Sequence, residues 1–170
     1  MKKYKINKIQ IMRFILVVLI ILNCTTIFKF SSEQSEKSNK TSGVVVEKIV
    51  ESNPKTRNLT QKEKQEKKEK MVTPVRKTAH FSVYTILGIL LYLLTKTFNG
   101  KERNRIIISL GFAFLYACSD EIHQSYVPGR SCEFRDICID SCGALFGILI
   151  VWGITAGIVR IKHRRKEKNL

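Results

Sequence analysis

No Cys-x-x-Cys pair occurs among the five cysteines of this 170-residue chain, Cys24, Cys118, Cys132, Cys138 and Cys142. That absence speaks against a cysteine zinc site or a disulfide framework. Four of the five lie in or beside apolar runs, where a small sulfur side chain serves packing. Zinc-finger and RNP signatures are missing too. The net charge of +16 would suggest nucleic acid in a soluble protein, but here the basic residues flank apolar runs, so no nucleic acid is expected. No small-x-small cleavage site follows the first apolar run. Ile21-Leu22-Asn23-Cys24 is a poor lipobox, because Asn23 stands where a small residue is needed. An uncleaved signal anchor is the expectation.

Hydrophobic residues make up 44% of the chain and charged residues 26%, and the two are segregated. Apolar runs of membrane length alternate with short charged stretches. The runs are Phe14 to Phe30, Thr78 to Thr95, Ile106 to Ser119 and Ser141 to Val159. They predict an all-α integral membrane protein with four transmembrane helices and one polar extracellular segment. Residues 1–30 form the signal anchor and first span, 31–74 the polar segment, 75–160 a three-helix membrane core, and 161–170 a basic tail.

Within the polar segment, Ser31 to Ser42 is rich in Ser, Lys, Glu and Asn and reads as flexible. Gly43 to Val50 reads as an apolar patch that rests on the membrane or pairs as a strand. Thr60-x-x-Glu63 is a capping-box pattern, and Glu63–Lys67 and Glu66–Lys70 are i,i+4 pairs. Together they predict a short soluble helix ending before Pro74, which disfavours helix at Thr73.

Charge orients the spans. The N-terminus, the 96–105 loop and the C-terminal tail share one side and hold 15 Lys/Arg against only Glu102 and Glu167. By the positive-inside rule that side is the cytoplasm. Residues 31–74, with ten Lys/Arg and seven Glu, and the 120–136 loop are expected outside.

The third apolar run is too short to span. As a helix, residues 106–119 rise about 21 Å, against a hydrocarbon core of about 30 Å. Helix should therefore continue through Asp120, Glu121, Ile122 and His123, drawing these groups to headgroup depth. Charges there need protein or trapped water as partners. Partners lie on the neighbouring spans. Lys77, His80 and Tyr84 are spaced three and four apart on the second span, so they share a face. Tyr116, Asp120 and either His123 or Gln124 do so on the third, and Asp136 and Asp140 on the fourth. Above Asp140, Gly143 and Gly147 form a GxxxG pattern that permits close helix contact, repeated by Gly153 and Gly157. The Pro128-Gly129 turn presents Arg130 towards the helix ends. Arg130 beside Lys77 suits a phosphate or carboxylate.

Several of these residues also carry plainer readings. His80 reads equally as a packed, hydrogen-bonded histidine, and Lys77 as a lysine snorkelling to the interface. Arg130 reads as an ion-pair partner of Asp136 or Glu133. No spacing matches a specific metal motif, so no resident metal or cofactor is expected. The carboxylates of Asp120, Asp136 and Asp140 leave a divalent cation as the one exception.

Three blocks of sequence then stand out together. They are Arg76-Lys77-Thr78-Ala79-His80-Phe81-Ser82-Val83-Tyr84-Thr85-Ile86-Leu87-Gly88, Ser119-Asp120-Glu121-Ile122-His123-Gln124 with Tyr126-Val127-Pro128-Gly129-Arg130, and Asp136-x-x-x-Asp140-x-x-Gly143-x-x-x-Gly147. In this order the chain resembles the VanZ-like family over about residues 72–158. The resemblance implies a multi-span protein of the bacterial cell envelope. The family is named for a membrane protein associated with low-level resistance to teicoplanin, a glycopeptide. The family's motifs place Lys77, His80, Tyr84, Asp120, Glu121, Gln124, Arg130 and Asp136 as its signature residues here.

Three functions compete. One is a binder of a lipid-linked or cell-wall component through Lys77, Tyr84, Gln124, Arg130, Asp136 and Asp140, with membrane lipids as its surroundings. Another is a membrane-embedded enzyme acting on a lipid-phosphate or wall precursor, with His80, Asp120, Glu121 and His123 as catalytic candidates. A transporter is the third, weakened by the one-sided placement of the ionisable groups and the lack of an inverted repeat.

Overall fold

A computed structural model describes residues 7–33, 35–56 and 59–168. The N-terminal lysines Lys2, Lys3 and Lys5 lie outside them. The described residues form five α-helices and one 3-10 turn: α1 (Lys8–Ser32), α2 (Ser35–Ser52), the turn Pro54–Thr56, α3 (Gln61–Lys96), α4 (Glu102–Gln124) and α5 (Phe134–Lys168). Among the described residues, α1, α3, α4 and α5 are long and apolar enough to cross a membrane. No strand is present among them.

Local sequence accounts for the helix starts. Asn7 caps α1 in a box with Gln10. Thr60 caps α3, its hydroxyl accepting from the Glu63 N–H while Glu63 accepts from the Thr60 N–H. These side chains satisfy amides that have no partner within the helix. The outer surface of the bundle is apolar, with Phe14, Leu22, Phe112, Leu115 and Ile154 all exposed. A surface of this kind is solvated by hydrocarbon.

Burial of apolar area does little to hold such helices together, because lipid tails are as apolar as leucine. Close packing does more. Gly143 and Gly147 on α5 sit so near α3 that a Cβ on either would meet the backbone of Phe81 and Thr85 respectively. Gly88 on α3 approaches the Ala144 carbonyl in the same way. The expected Gly143-x-x-x-Gly147 contact is thus the seam between α3 and α5. Gly153 and Gly157 face open space instead. Beside the seam, Ile27, Tyr84, Leu87, Ala113, Ala117 and Ala144 make a core shared by all four long helices.

The polar segment departs from expectation. Residues 35–52 are helical, so neither the flexible stretch ending at Ser42 nor a strand at Gly43–Val50 describes them. Val46 and Val50, one turn apart, are buried as α2 packs on α3. Asn39 meets Arg76 at 3.3 Å and Glu47 meets Lys68 at 2.7 Å, so α2 runs antiparallel to the first half of α3. Lys68 holds the Glu47 carboxyl below its usual range. Nor does α3 end before Pro74; it runs unbroken through it to Lys96. Pro74 removes the donor to the Lys70 carbonyl. Both residues are exposed, so water can take that carbonyl, and the packing of α2 carries the helix across the local penalty.

At one end of the bundle, Arg13 of α1 donates to the Thr97 carbonyl at 2.7 Å and lies over the Phe98 ring. Arg160 of α5 lines a recess there with Lys96 and Glu102. The three basic segments therefore share an end. The ionisable groups of the candidate site occupy the opposite one.

Candidate functional site

Three helices and a loop build a cavity of about 230 Å³ at that opposite end. Its lining includes Arg76, Lys77 and His80 from α3, Glu121 and Gln124 from α4, and Asp136 and Asp140 from α5. Gly129, Arg130, Ser131 and Glu133 complete it from the connecting loop. The helices deliver these groups because α4 continues to Gln124, as the short apolar run requires, and because α5 begins at Phe134, before both aspartates.

The loop turns at Pro128-Gly129. Arg130 N–H donates to the Val127 carbonyl at 3.1 Å, and Gly129 takes φ 77°. A left-handed residue after proline is the requirement of a type II turn, which glycine meets without a Cβ clash. The turn aims Arg130 back over the helix ends. Its guanidinium donates to Gln124 Oε1 at 2.8 Å and to the Phe30 carbonyl at 3.0 Å. Burial, and then Arg76, press the Arg130 pKa below the ordinary arginine value. The expected pairing of Arg130 with Asp136 or Glu133 does not form. Lys77 takes both, bonding Asp136 closely and Glu133 at 3.4 Å.

Beneath the cavity lies a polar network. Asp120 is 4% exposed. Its Oδ2 accepts from the Ser31 hydroxyl at 2.7 Å and from Gln124 Nε2 at 3.0 Å. Glu121 Oε2 accepts from the Glu133 N–H at 2.9 Å, which ties the loop to α4. His80, Asp120 and Asp140 each offer one ligand atom within 4.8 Å of the others. Tyr84, one turn beyond His80, is fully buried, and its hydroxyl has no hydrogen-bond partner.

Most residues expected from sequence therefore converge: Lys77, His80, Glu121, Gln124, Arg130, Asp136 and Asp140 line the cavity, with Asp120 and Tyr84 below it. His123 does not join them. It stacks on Phe28 of α1 at 4.4 Å between ring centroids and meets the Ser32 hydroxyl at 3.1 Å. Asp136 is removed from the expected carboxylate trio by its pairing with Lys77, and His80 stands in its place. Sequence reasoning missed the contribution of α1, whose Ser31 is wholly buried against Asp120. It also passed over Arg76 as a cavity residue, although Arg76 stands beside Lys77 in the quoted motif. Ser31 carried no signal beyond its place at the end of the first apolar run.

The fold and the cavity together define a helical, multi-span membrane protein with an ionisable pocket at one end of its bundle. The chain belongs to the VanZ/LLP1 family, whose profile matches residues 14–158. The match begins in α1 and takes in most of all four candidate spans. No curated protein and no solved structure matches the chain.

Proposed function

We propose that this membrane protein binds the phosphate-bearing headgroup of a lipid-linked cell-wall precursor in the cavity, with the cavity opening to the outside of the bacterial plasma membrane. The observation that carries the reading is the setting of Arg130. It is held at the cavity by α1 and α4 through two uncharged oxygens, and Arg76 lines the same cavity. Paired guanidinium groups fixed before binding suit a phosphoryl oxygen. Lys77 contributes less, since Asp136 and Glu133 already neutralise it. The basic end of the bundle supports the orientation through the positive-inside rule. Anion capture at Arg130 and Arg76 requires no cofactor.

Full-length protein in nanodiscs, with and without a polyprenyl phosphate, tests the reading by native mass spectrometry and titration. Wild type should retain the lipid phosphate, and Arg130→Ala should bind it at least about tenfold more weakly, a loss of about 1.4 kcal/mol. Equal affinity in the two proteins, or none in wild type, would reject it. A contribution to teicoplanin tolerance belongs to the same reading. Deletion should then lower the inhibitory concentration, and Arg130→Ala should not restore it.

The enzyme reading has one observation of its own. His80 lines the cavity near Asp140, where an imidazole could take or give a proton to a bound substrate. Lipid and wall-precursor analysis of deletion, wild-type and His80→Ala strains separates the two. A chemical species that changes with His80 indicates catalysis. Unchanged chemistry with altered retention of the lipid phosphate indicates binding. The carrier reading draws no support from a cluster confined to one end.

A further inference from the structure

We infer that His80, Asp120 and Asp140 bind a divalent transition-metal cation, of the Mn²⁺ or Zn²⁺ kind, at the floor of the cavity. This site is additional to the anion contacts at Arg130 and Arg76.

The three ligands come from three different helices, α3, α4 and α5, and their ligand atoms lie within 4.8 Å of one another. Two ligands on bonds of 2.2 Å can stand at most about 4.4 Å apart. Binding therefore requires the side chains to turn inward by a fraction of an ångström to about 1 Å. Asp120 is prepared for the role. Ser31 and Gln124 both bond its Oδ2, which holds the carboxylate in place and leaves Oδ1 uncommitted among the described residues.

One buried group points to a missing partner, and it stands near a carboxylate at the cavity floor. Asp140 is 2% exposed and lines the cavity. The Tyr84 hydroxyl is completely buried and unbonded, within the field of both Asp120 and Asp140. An orphaned buried hydroxyl calls for a ligand or a water. A cation at the trio carries water on its open positions, and such a water can bond Tyr84.

Charge points the same way. The cavity lining holds three cationic side chains, Arg76, Lys77 and Arg130, against four acidic ones, Glu121, Glu133, Asp136 and Asp140. Asp120 adds a fifth acid underneath. Lys77 is spent on Asp136 and Glu133. Among the described residues the carboxylates at the floor make no close ion pair with Lys or Arg, in a place where an uncompensated charge is costly. The imidazole selects the class of ion. Mg²⁺ and Ca²⁺ prefer all-oxygen shells, whereas a nitrogen with two carboxylates suits Mn²⁺ or Zn²⁺. His80 and Asp140 line the cavity, so the open positions of the ion would face any ligand that enters.

The test uses full-length protein in detergent, carried on a tag without histidine and stripped by chelation. Mn²⁺ is the main probe, because the exposed Cys132, Cys138 and Cys142 compete for Zn²⁺. Calorimetry and the loss of free-Mn²⁺ electron-paramagnetic-resonance signal should report one ion per chain. Asp140→Asn and His80→Gln should each weaken it by more than about tenfold. Tyr84→Phe, which alters only the surroundings of the ligands, should weaken it by about tenfold. Glu47→Gln, on α2 and away from the cavity, should bind as wild type does, and circular dichroism of the metal-free proteins checks that each variant folds. No saturable binding in wild type, or unchanged binding in Asp140→Asn and His80→Gln, overturns the inference. Arg130→Ala should keep the ion while losing the lipid phosphate, so the two sites can fail separately.

Discussion

The hydroxyl of Ser31 donates a 2.7 Å hydrogen bond to the carboxylate of Asp120, joining residues 89 positions apart. Both side chains are buried, Ser31 wholly and Asp120 to 4% exposure. The bond makes α1 a structural member of the site, and Arg130 reinforces it by donating to the carbonyl of Phe30, the preceding residue.

Ser31→Ala removes one of the two donors to the Asp120 Oδ2. A hydrogen bond to a charged group contributes about 1.5–3 kcal/mol. Loss of that amount is expected in equilibrium unfolding of the protein in mixed micelles. Ser31→Thr keeps the hydroxyl and should lose less. A Ser31→Ala protein as stable as wild type would show that Gln124 alone suffices to hold Asp120.

The helical spans and much of the pocket were legible from spacing. Lys77, His80 and Tyr84 had to share one face of a helix, as did Asp136 and Asp140, and a run of fourteen apolar residues had to draw Asp120 and Glu121 to the membrane surface. Spacing could not separate His123 from Gln124, because three and four residues beyond Asp120 are both neighbours on a helix. Packing decides between them: Gln124 turns inward to Asp120 and Arg130, and His123 turns to Phe28. Pro74 was misread because a local rule about the residue before proline says nothing of α2, which lies along α3. The α2 helix itself was hidden by a polar composition with Gly43 in its middle. Only its antiparallel docking gives Val46 and Val50 a buried face.

Gly147→Val should damage the protein far more than Gly153→Val, although both place the same side chain on α5. At Gly147 even a Cβ meets the Thr85 carbonyl, whereas nothing lies within 4 Å of a Cβ at Gly153. Forced overpacking costs about 1–3 kcal/mol or more. Thermal unfolding monitored by size-exclusion fluorescence should show a lowered midpoint for the first and no change for the second. Equal effects would mean that the α3–α5 seam tolerates separation.

Lys77 and Asp136 should behave as an energetically coupled pair. Their side chains are 19% and 26% exposed, so solvent screens the pair only in part. Lys77→Met leaves two carboxylates, Asp136 and Glu133, without their cation. Adding Asp136→Leu should recover part of the lost stability, with a coupling of about 0.5–3 kcal/mol in a double-mutant cycle. Strict additivity would show that the pair rests on each side chain's other contacts.

Cysteine labelling can decide which side of the membrane the cavity faces. Cys132 is exposed in the loop that closes the cavity, between Arg130 and Glu133. Asn99 lies at the opposite end, in the turn between α3 and α4, and is also exposed. In a background carrying Cys132 as its only cysteine, a membrane-impermeant maleimide should label intact cells after removal of the wall. In a second background, with Asn99→Cys as the sole cysteine, labelling should require permeabilisation. The reasoning is electrostatic. Arg13, Lys96, Lys101, Arg103, Arg105 and Arg160 gather at the Asn99 end, and basic flanks of short loops are retained in the cytoplasm. The reverse pattern would place the cavity inside the cell. It would leave Arg130 and Arg76 facing cytoplasmic ligands, and the proposed lipid-linked precursor would have to be met on its inner-leaflet side.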